Sequence, residues 1–443
     1  MRRNVRNSTA VAAVVLSAFF GLAHAQAADA LVVTPSNATG IWNPGDEVGW
    51  QIQWHGDEPA GEVRYVIKRG GRTEVGRGTV TIVDGAGELH ASFDTPAAYL
   101  AKFTTSAADG KQHQAIGGAL ISLDEIEPSA PRPDDFDAFW DAKLAELAAV
   151  PMNPQLEPAD SGKPGVDYWK ITLDNVGGRR IRGQLARPTT ENGNRLPALL
   201  IPQWAGVYPL EKPWVTDRAA EGWLALNILA HDLPIDEPAS YYELQYAGPL
   251  QNYWAIGNDA RDASYYLPMY LSCYRAAEYL AQRPDWNGET LVVMGTSQGG
   301  QQTLVTAAIH PRVTAALALV PAGCDMLGPA VGRTGGWPQW YDQLHGKDPA
   351  RVREASRYYD VANLAPRIKC PLLVGVGLID QVCPPEGVIA ALNQADAAKE
   401  VVVLPTSGHQ DVDGSQRAYY DRCYGVWLPA LREGRPTTPV NQP

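Results

Sequence analysis

The chain has 443 residues, of which 45% are hydrophobic and 19% charged, and its formal net charge at pH 7 is −12. This length predicts two domains. The acidic balance disfavours nucleic acid and anionic membrane surfaces as partners, and it is also a common route to solubility.

The first 25 residues have the features of a secretory signal peptide. Three arginines come first, Ala10 to Ala23 runs almost without polar residues, and small residues follow at Ala23-His24-Ala25. The apolar run is too short to span a bilayer, which takes about 20 residues. We expect residues 1–25 to be removed and the mature protein to be secreted or periplasmic. Loss of the three arginines takes the formal charge from −12 to −15.

Residues 30–125 predict a small all-β sandwich of immunoglobulin-like size. Val48 to Trp54 alternates apolar and other residues with period two, and pairs such as Gly70-Gly71 and Asp84-Gly85 mark turns. No amphipathic helix interrupts the pattern. Trp42 and its neighbours Trp50 and Trp54 either fill the core or form a sugar-stacking face, and we favour the core. The role of this domain stays open between a spacer and a docking element.

Residues 126–133 are a proline-rich linker, and residues 134–435 predict a catalytic α/β domain. Asp134-Asp135 are placed to cap a helix with apolar residues at helical spacing. Strands then alternate with helical stretches, and their continuous apolar character predicts a mainly parallel sheet covered on both faces. The predicted strands are Tyr168–Asp174, Gly183–Arg187, Leu196–Ile201, Leu224–Leu229, Leu291–Met294, Ala315–Val320, Leu372–Val376 and Val401–Leu404.

The cysteines disfavour a metal site or a disulfide scaffold. Five cysteines lie in the second half of the chain without C-x-x-C spacing, at positions 273, 324, 370, 383 and 423. Their odd number leaves at least one thiol free in a monomer. We therefore predict no metal and no cofactor.

Gly295-Thr296-Ser297-Gln298-Gly299 matches the G-x-S-x-G nucleophile elbow, a sharp turn that lifts a serine hydroxyl clear of a sheet. Four apolar residues precede it, and Gln301 to His310 continues as a helical stretch, so strand, turn and helix follow in the expected order. Ser297 is the predicted nucleophile, since a nearby base activates a serine hydroxyl.

His409 is the predicted base and Asp380 the acid that orients it. Of the eight histidines, His409 follows the apolar strand Val401–Leu404, where an α/β-hydrolase places its base. Asp380 follows the strand Leu372–Val376, and open α/β sheets collect functional groups at such carboxyl ends. The order Ser297, Asp380, His409 is that of the α/β-hydrolases.

The oxyanion of a tetrahedral intermediate needs two hydrogen-bond donors. The backbone N–H of Gln298 is the predicted first donor, and the second should come from the loop after Leu196–Ile201, at Ala205 or Gly206. Trp204 and Tyr208 on the same loop are possible substrate contacts.

These motifs resemble the acetyl xylan esterase and cephalosporin C deacetylase family, the seventh family of carbohydrate esterases. The resemblance is carried by Gly295-Thr-Ser-Gln-Gly-Gly300, Gly377-Leu-Ile-Asp-Gln-Val-Cys-Pro-Pro385 and Gly408-His409, and it covers roughly residues 130 to 432. It implies an α/β-hydrolase fold and removal of small acyl groups, typically acetate, from sugar hydroxyls. It agrees with Ser297, Asp380 and His409 as the triad.

The chain departs from the family pattern next to the expected site. Family members usually carry Arg-Gly-Gln-Gly where this chain has Ala230-His231-Asp232-Leu233, and His-Gly-Tyr where it has Trp204-Ala205-Gly206. His231 could contact substrate or support the His409 loop, and we favour a structural hydrogen-bonding role.

We therefore expect a secreted serine esterase that deacetylates a saccharide such as xylan, without nucleic acid or membrane partners. Two alternatives stay open. One is an esterase for larger acyl groups, or a peptidase of the same fold. The other is a catalytically incompetent carbohydrate-binding protein. An oligomer is possible and cannot be derived from the sequence.

Overall fold

The computed structural model describes residues 30–56, 62–106, 110–189 and 195–437. The predicted signal peptide lies outside these residues. Within them, no helix has the length and apolar character needed to cross a membrane.

The first eight strands form the predicted β-sandwich. One sheet has the order β1-β3-β6 and the other the order β2-β8-β7-β4-β5. Their inner faces share one apolar core. The strands are β1 Leu31–Pro35, β2 Ile41–Trp42, β3 Glu47–Trp54, β4 Val63–Arg69, β5 Thr73–Val80, β6 Ala86–Ser92, β7 Ala97–Ser106 and β8 Gln112–Ile121.

The three tryptophans of the sandwich belong to its core. Trp42 and Trp54 are each 8% exposed and Trp50 is 0% exposed. The indole N–H of Trp50 donates to the carbonyl of Gly118 at 3.2 Å. These rings therefore offer no sugar-stacking face, as the core interpretation expected.

A nine-stranded sheet organises the rest of the chain, with the order β17-β16-β15-β14-β12-β13-β11-β10-β9. The strands from β13 to β17 in this order pair in parallel, and β9, β10 and β11 add an antiparallel edge. The strands are β9 Gln155–Ala159, β10 Val166–Asp174, β11 Arg180–Pro188, β12 Leu196–Pro202, β13 Leu224–Ile228, β14 Trp286–Thr296, β15 Ala315–Leu319, β16 Leu372–Gly377 and β17 Lys399–Leu404. The predicted α/β class with a mainly parallel sheet is confirmed.

Helices cover both faces of this sheet. Its central strands are therefore buried throughout. The helices are α1 Phe136–Ala148, α2 Pro213–Ala220, α3 Ala239–Ala247, α4 Tyr266–Gln282, α5 Gln298–Ile309, α6 Pro349–Ser356, α7 Val361–Leu364, α8 Pro385–Leu392, α9 Arg417–Arg422 and α10 Leu428–Arg432. One apolar core packs α4, α5, α7 and α8 against the sheet. A second core packs α2, α9 and α10 against the opposite face.

Helix α1 begins as predicted, but its capping differs. Asp135 precedes the helix without a side-chain capping bond. Its carboxylate instead pairs with Arg261 at 2.6 Å and accepts from the hydroxyl of Tyr358 at 2.5 Å. These contacts dock α1 onto the catalytic sheet domain.

Candidate active site

Ser297 occupies a strained turn between β14 and α5. Its backbone has φ 57° and ψ −121°, a conformation that non-glycine residues rarely adopt. A Cβ on Gly295 would lie 2.5 Å from the backbone of Gly299, and a Cβ on Gly299 would lie 2.8 Å from the carbonyl oxygen of Pro202. Both glycines of the elbow are therefore required by close backbone approach.

The structure brings Ser297, His409 and Asp380 into one chain of hydrogen bonds. His409 Nε2 lies 2.9 Å from Ser297 Oγ, and His409 Nδ1 lies 2.7 Å from Asp380 Oδ2. Because a carboxylate oxygen only accepts, Nδ1 carries the proton and Nε2 is free to accept from the serine hydroxyl. This arrangement can take a proton from Ser297 as its hydroxyl attacks a carbonyl carbon.

Asp380 is held by backbone donors in the acid loop (residues 378–384). It is fully buried, and its Oδ1 accepts from the N–H groups of Val382 and Cys383 at 2.7 and 2.8 Å. The acid loop is in turn hydrogen-bonded to the histidine loop (residues 405–416), since Ile379 N–H donates to the Ser407 carbonyl at 3.1 Å. The strand ends of β16 and β17 thus fix the relative positions of acid and base.

The N–H of Gln298 stands at the first position of α5, where a backbone donor has no intrahelical acceptor. The oxyanion loop (residues 203–208) lies beside it, because a Cβ on Gly299 would be 3.5 Å from the backbone nitrogen of Trp204. Within the described part of the chain, the N–H of Ala205 donates no hydrogen bond. Gln298 and Ala205 therefore remain candidate oxyanion donors.

Gly206 does not meet the expectation for a donor. Its N–H already donates to the hydroxyl of Tyr253 at 3.3 Å, and its φ of 122° suits a glycine. The same hydroxyl donates to Gln298 Oε1 at 2.6 Å. Tyr253, which sequence reasoning missed, therefore joins the oxyanion loop to the first residue of α5.

The predicted substrate contacts on the oxyanion loop differ in their surroundings. Trp204 lines a cleft of about 320 Å³ together with Trp214 and Thr296, the residue before the nucleophile. Tyr208 is only 9% exposed, and its hydroxyl donates to the Trp204 carbonyl at 3.3 Å. Trp204 is half-buried and lines this cleft, so its contact with substrate stays a prediction. The prediction of Tyr208 as a contact is corrected to a support for the Trp204 backbone.

Comparison with known proteins identifies the family. The sequence model of the acetyl xylan esterase family (AXE1) matches residues 119–422. The chain belongs to this family. Acetyl esterase Axe7A of Xylanibacter ruminicola is 32% identical over 390 residues, which cover 86% of this chain and 87% of that protein. This protein is accordingly a carboxylic ester hydrolase.

Two solved acetyl xylan esterases share the fold of this esterase. Acetyl xylan esterase 1 from Thermoanaerobacterium sp. JW/SL YS485 is 25% identical with a TM-score of 0.58, covering 70% of this chain and 97% of its own. The acetyl xylan esterase from Paenibacillus sp. R4 is also 25% identical with a TM-score of 0.58, covering 69% of this chain and 98% of its own. Each therefore matches over nearly its whole length and leaves about 30% of this chain unmatched.

His231 of this esterase is a buried support of the oxyanion loop. It is 3% exposed, its Nε2–H donates to the Gly206 carbonyl at 2.8 Å, and its Nδ1 accepts from the Tyr265 hydroxyl at 2.8 Å. Burial lowers the pKa of His231 to about 4, so the ring is neutral at neutral pH. The possible substrate contact is corrected, and its hydrogen-bonding role serves the oxyanion loop rather than the histidine loop.

Three side chains of this esterase could together hold a metal ion. One ligand atom from each lies within 4.8 Å of the others, and the residues are Asp380, Cys383 and His409. However, His409 Nδ1 is already bonded to Asp380. Burial raises the pKa of the Cys383 thiol well above its usual value, and metals bind the thiolate. The contacts are thus accounted for by the triad, and the absence of a metal stays a prediction.

Proposed function

We propose that this esterase is exported and removes acetyl groups from the hydroxyls of a saccharide such as xylan or a xylo-oligosaccharide, through an acyl-enzyme on Ser297. The observation that carries the proposal is the unbroken hydrogen-bond chain from Ser297 through His409 to Asp380 at the carboxyl ends of β14, β16 and β17. Family membership supports acetate as the acyl group.

The proposed reaction has two steps. Ser297 Oγ attacks the acetyl carbonyl carbon as His409 Nε2 takes its proton, and the sugar oxygen leaves with that proton. A water molecule, deprotonated by the same nitrogen, then attacks the acetyl-serine carbonyl; the bond to Ser297 Oγ breaks, acetate is released, and His409 Nε2 returns the proton to Ser297 Oγ. The N–H groups of Gln298 and Ala205 would stabilise the oxyanion in both steps. All of this chemistry comes from side chains and backbone of the chain.

The saccharide is proposed to lie along the cleft at Trp204. The assignment is supported by Thr296, the residue before the nucleophile, which is among the residues that line this cleft. Trp204 and Trp214 have ring centroids 5.1 Å apart, and such indole surfaces pack well against the apolar faces of sugar rings.

The proposed domain division is a sandwich over residues 30–125, a linker over 126–133 and a catalytic domain over 134–435. The change from strands alone to alternating strands and helices supports it. The linker is packed on the catalytic domain, since Ser129 donates to Asp325 at 2.5 Å and Arg132 to the Asn363 carbonyl at 2.8 Å. Export is supported by the sequence of residues 1–25, and N-terminal sequencing of the exported protein tests it.

The triad is tested with two single variants, Ser297→Ala and Asp380→Asn, each assayed on p-nitrophenyl acetate. We expect losses on the order of 10⁴-fold in kcat, because members of a triad act as a unit. Asp413→Asn is the matched control: Asp413 is an exposed carboxylate on the histidine loop. Activity retained by folded Ser297→Ala, or failure of a fluorophosphonate probe to label Ser297 in the wild type, would overturn the proposal.

The substrate assignment has its own test. An acyl series from acetyl to octanoyl should show falling kcat/KM with chain length, and acetate release should be measured on acetylated xylan, acetylated oligosaccharides and pectin. Preference for long or aromatic acyl groups would favour the alternative esterase, and preference for pectin would displace xylan.

A further inference from the structure

Two glycines of the sandwich contact the loops that carry the acid and the base. A Cβ on Gly118 would lie 2.5 Å from Leu378 Cγ and 2.8 Å from the Leu378 carbonyl oxygen. A Cβ on Gly40 would lie 2.5 Å from Leu378 Cδ2 and 3.5 Å from Pro405 Cβ. Leu378, which is fully buried, begins the acid loop two residues before Asp380, and Pro405 begins the histidine loop. The sandwich therefore packs directly on both loops.

Strand β8 is compressed between the sandwich core and the acid loop. Successive residues of a strand face opposite sides. Gly117 faces inward, where a Cβ would lie 2.4 Å from the Trp50 ring, and Gly118 faces outward onto Leu378. Two adjacent glycines are needed because both faces of the strand are in close contact. On the outer face, Leu120 packs within the core of the catalytic domain.

A buried carboxylate links the sandwich to the helix that follows the acid loop. Glu386 is the second residue of α8, and its Oε2 accepts from the N–H of Ala98 on β7 at 3.0 Å. Its Oε1 pairs with Arg333 Nε at 2.6 Å, and Arg333 Nη1 pairs with Asp325 at 2.8 Å. Burial raises the pKa of Glu386. Removing one partner of such a buried network leaves another buried charge unpaired, which is costly.

The turn between β4 and β5 makes a third contact with the catalytic domain. Gly71 forms a β-bridge with Arg333, and Thr334 N–H donates to the Gly70 carbonyl at 2.7 Å. Arg72 pairs with Asp342 at 2.8 Å. The two domains are thus joined by packing, backbone pairing and ion pairs. The sandwich therefore contacts the catalytic domain directly and is not connected to it through the linker alone.

We propose that the sandwich is a positioning element of the active site, which holds the acid and histidine loops so that Asp380 and His409 stay aligned with Ser297. The proposal rests on the proposed function of the triad. Its positioning residues are Gly118, Leu378 and Glu386, which act through the acid loop and touch no substrate. A displacement of about 1 Å in a catalytic group can cost on the order of 10²-fold in rate.

The experiment compares Gly118→Ala with Gly76→Ala, measured on p-nitrophenyl acetate and on acetylated xylan. Gly76 lies on β5 of the same sheet, and a Cβ there would make an ordinary 3.6 Å contact with Ile67. Active sites are counted by fluorophosphonate labelling at completion, so loss of folded protein does not enter kcat. For Gly118→Ala we expect kcat per labelled site to fall at least about 10-fold on both substrates, with KM changed less than about twofold. Gly76→Ala should match the wild type.

Glu386→Gln is the second variant and decides the matter if Gly118→Ala does not fold. It replaces one carboxylate oxygen by an NH₂ donor, so either Arg333 or the Ala98 N–H loses its acceptor. A fall in kcat per site of about threefold or more, with KM unchanged, supports the proposal. Wild-type kcat per site in every folded variant overturns it, and so does a loss confined to xylan, which would indicate substrate docking. Ser297→Ala is assayed in parallel: its activity alone decides the triad, so the two proposals fail separately.

Discussion

The hydroxyl of Tyr253 lies 2.6 Å from Gln298 Oε1 and accepts from the N–H of Gly206 at 3.3 Å. One side chain thus joins the two segments expected to bind the oxyanion. Burial raises the pKa of Tyr253 far above its usual value, so the hydroxyl stays protonated and donates a hydrogen bond to Gln298 Oε1. The segments that carry the two candidate oxyanion donors, the N–H groups of Gln298 and Ala205, are therefore linked by a side chain that is itself fully buried.

Removing this hydroxyl should slow catalysis and weaken the fold. Tyr253→Phe leaves the Gly206 N–H and Gln298 Oε1 buried without partners, which costs about 1–3 kcal/mol of unfolding free energy. We expect kcat on p-nitrophenyl acetate to fall by roughly 10-fold or more as the oxyanion loop shifts. Tyr241→Phe is the matched control, since the Tyr241 hydroxyl has no hydrogen-bond partner among the described residues. Unchanged kcat in folded Tyr253→Phe would contradict the linking role.

His231 should make stability depend on pH. Its pKa falls from the ordinary 6.5 to about 4 on burial, so the unfolded chain binds a proton that the folded chain refuses between these values. The contribution of the neutral ring is present above about pH 6.5 and is lost as the pH falls through 4. The full loss of unfolding free energy from this group is roughly 3 kcal/mol. Denaturant unfolding of the wild type and His231→Gln at pH 7.5, 5.5 and 4 measures it.

The difference in unfolding free energy between the wild type and His231→Gln should therefore shrink as the pH falls. Exposed His55 supplies the control, and His55→Gln should show a small, constant difference. A constant gap for His231→Gln would show that the ring accepts a proton in the folded protein as readily as in the unfolded one.

The sequence predicted the loops of the triad because each follows an apolar strand, and apolar runs are the strongest local signal in an α/β domain. It could not predict β9, whose residues Gln155–Ala159 are mostly exposed and include Pro158 at the sheet edge. Tyr253 stands 45 residues from Gln298 in a segment without a motif. In the sequence Gly118 looks like an ordinary strand glycine, because its contact with Leu378 exists only in the folded protein. These contacts depend on tertiary packing, which leaves no periodic trace in the sequence.

The five cysteines should be unreactive in the native protein. All five are buried and free of disulfides. Burial raises the pKa of the thiols of Cys273, Cys370 and Cys423 to about 12, and those of Cys324 and Cys383 further above their usual value. A thiol reagent at pH 8 should titrate none in buffer and five in denaturant. Fewer than five in denaturant without reductant would reveal a disulfide.

The cleft at Trp204 should govern saccharide binding without governing the chemistry. Trp204 and Trp214 line it, and neither side chain takes part in the hydrogen-bond chain of the triad. For Trp214→Ala we expect KM on acetylated xylo-oligosaccharides to rise roughly 2- to 10-fold, the value of one aromatic contact. The kcat on p-nitrophenyl acetate should stay within about twofold, because this small ester does not reach along the cleft. Trp169→Ala, on the distant strand β10, is the control. Equal losses on both esters would mean that Trp214 supports the oxyanion loop through Trp204 instead of binding the sugar.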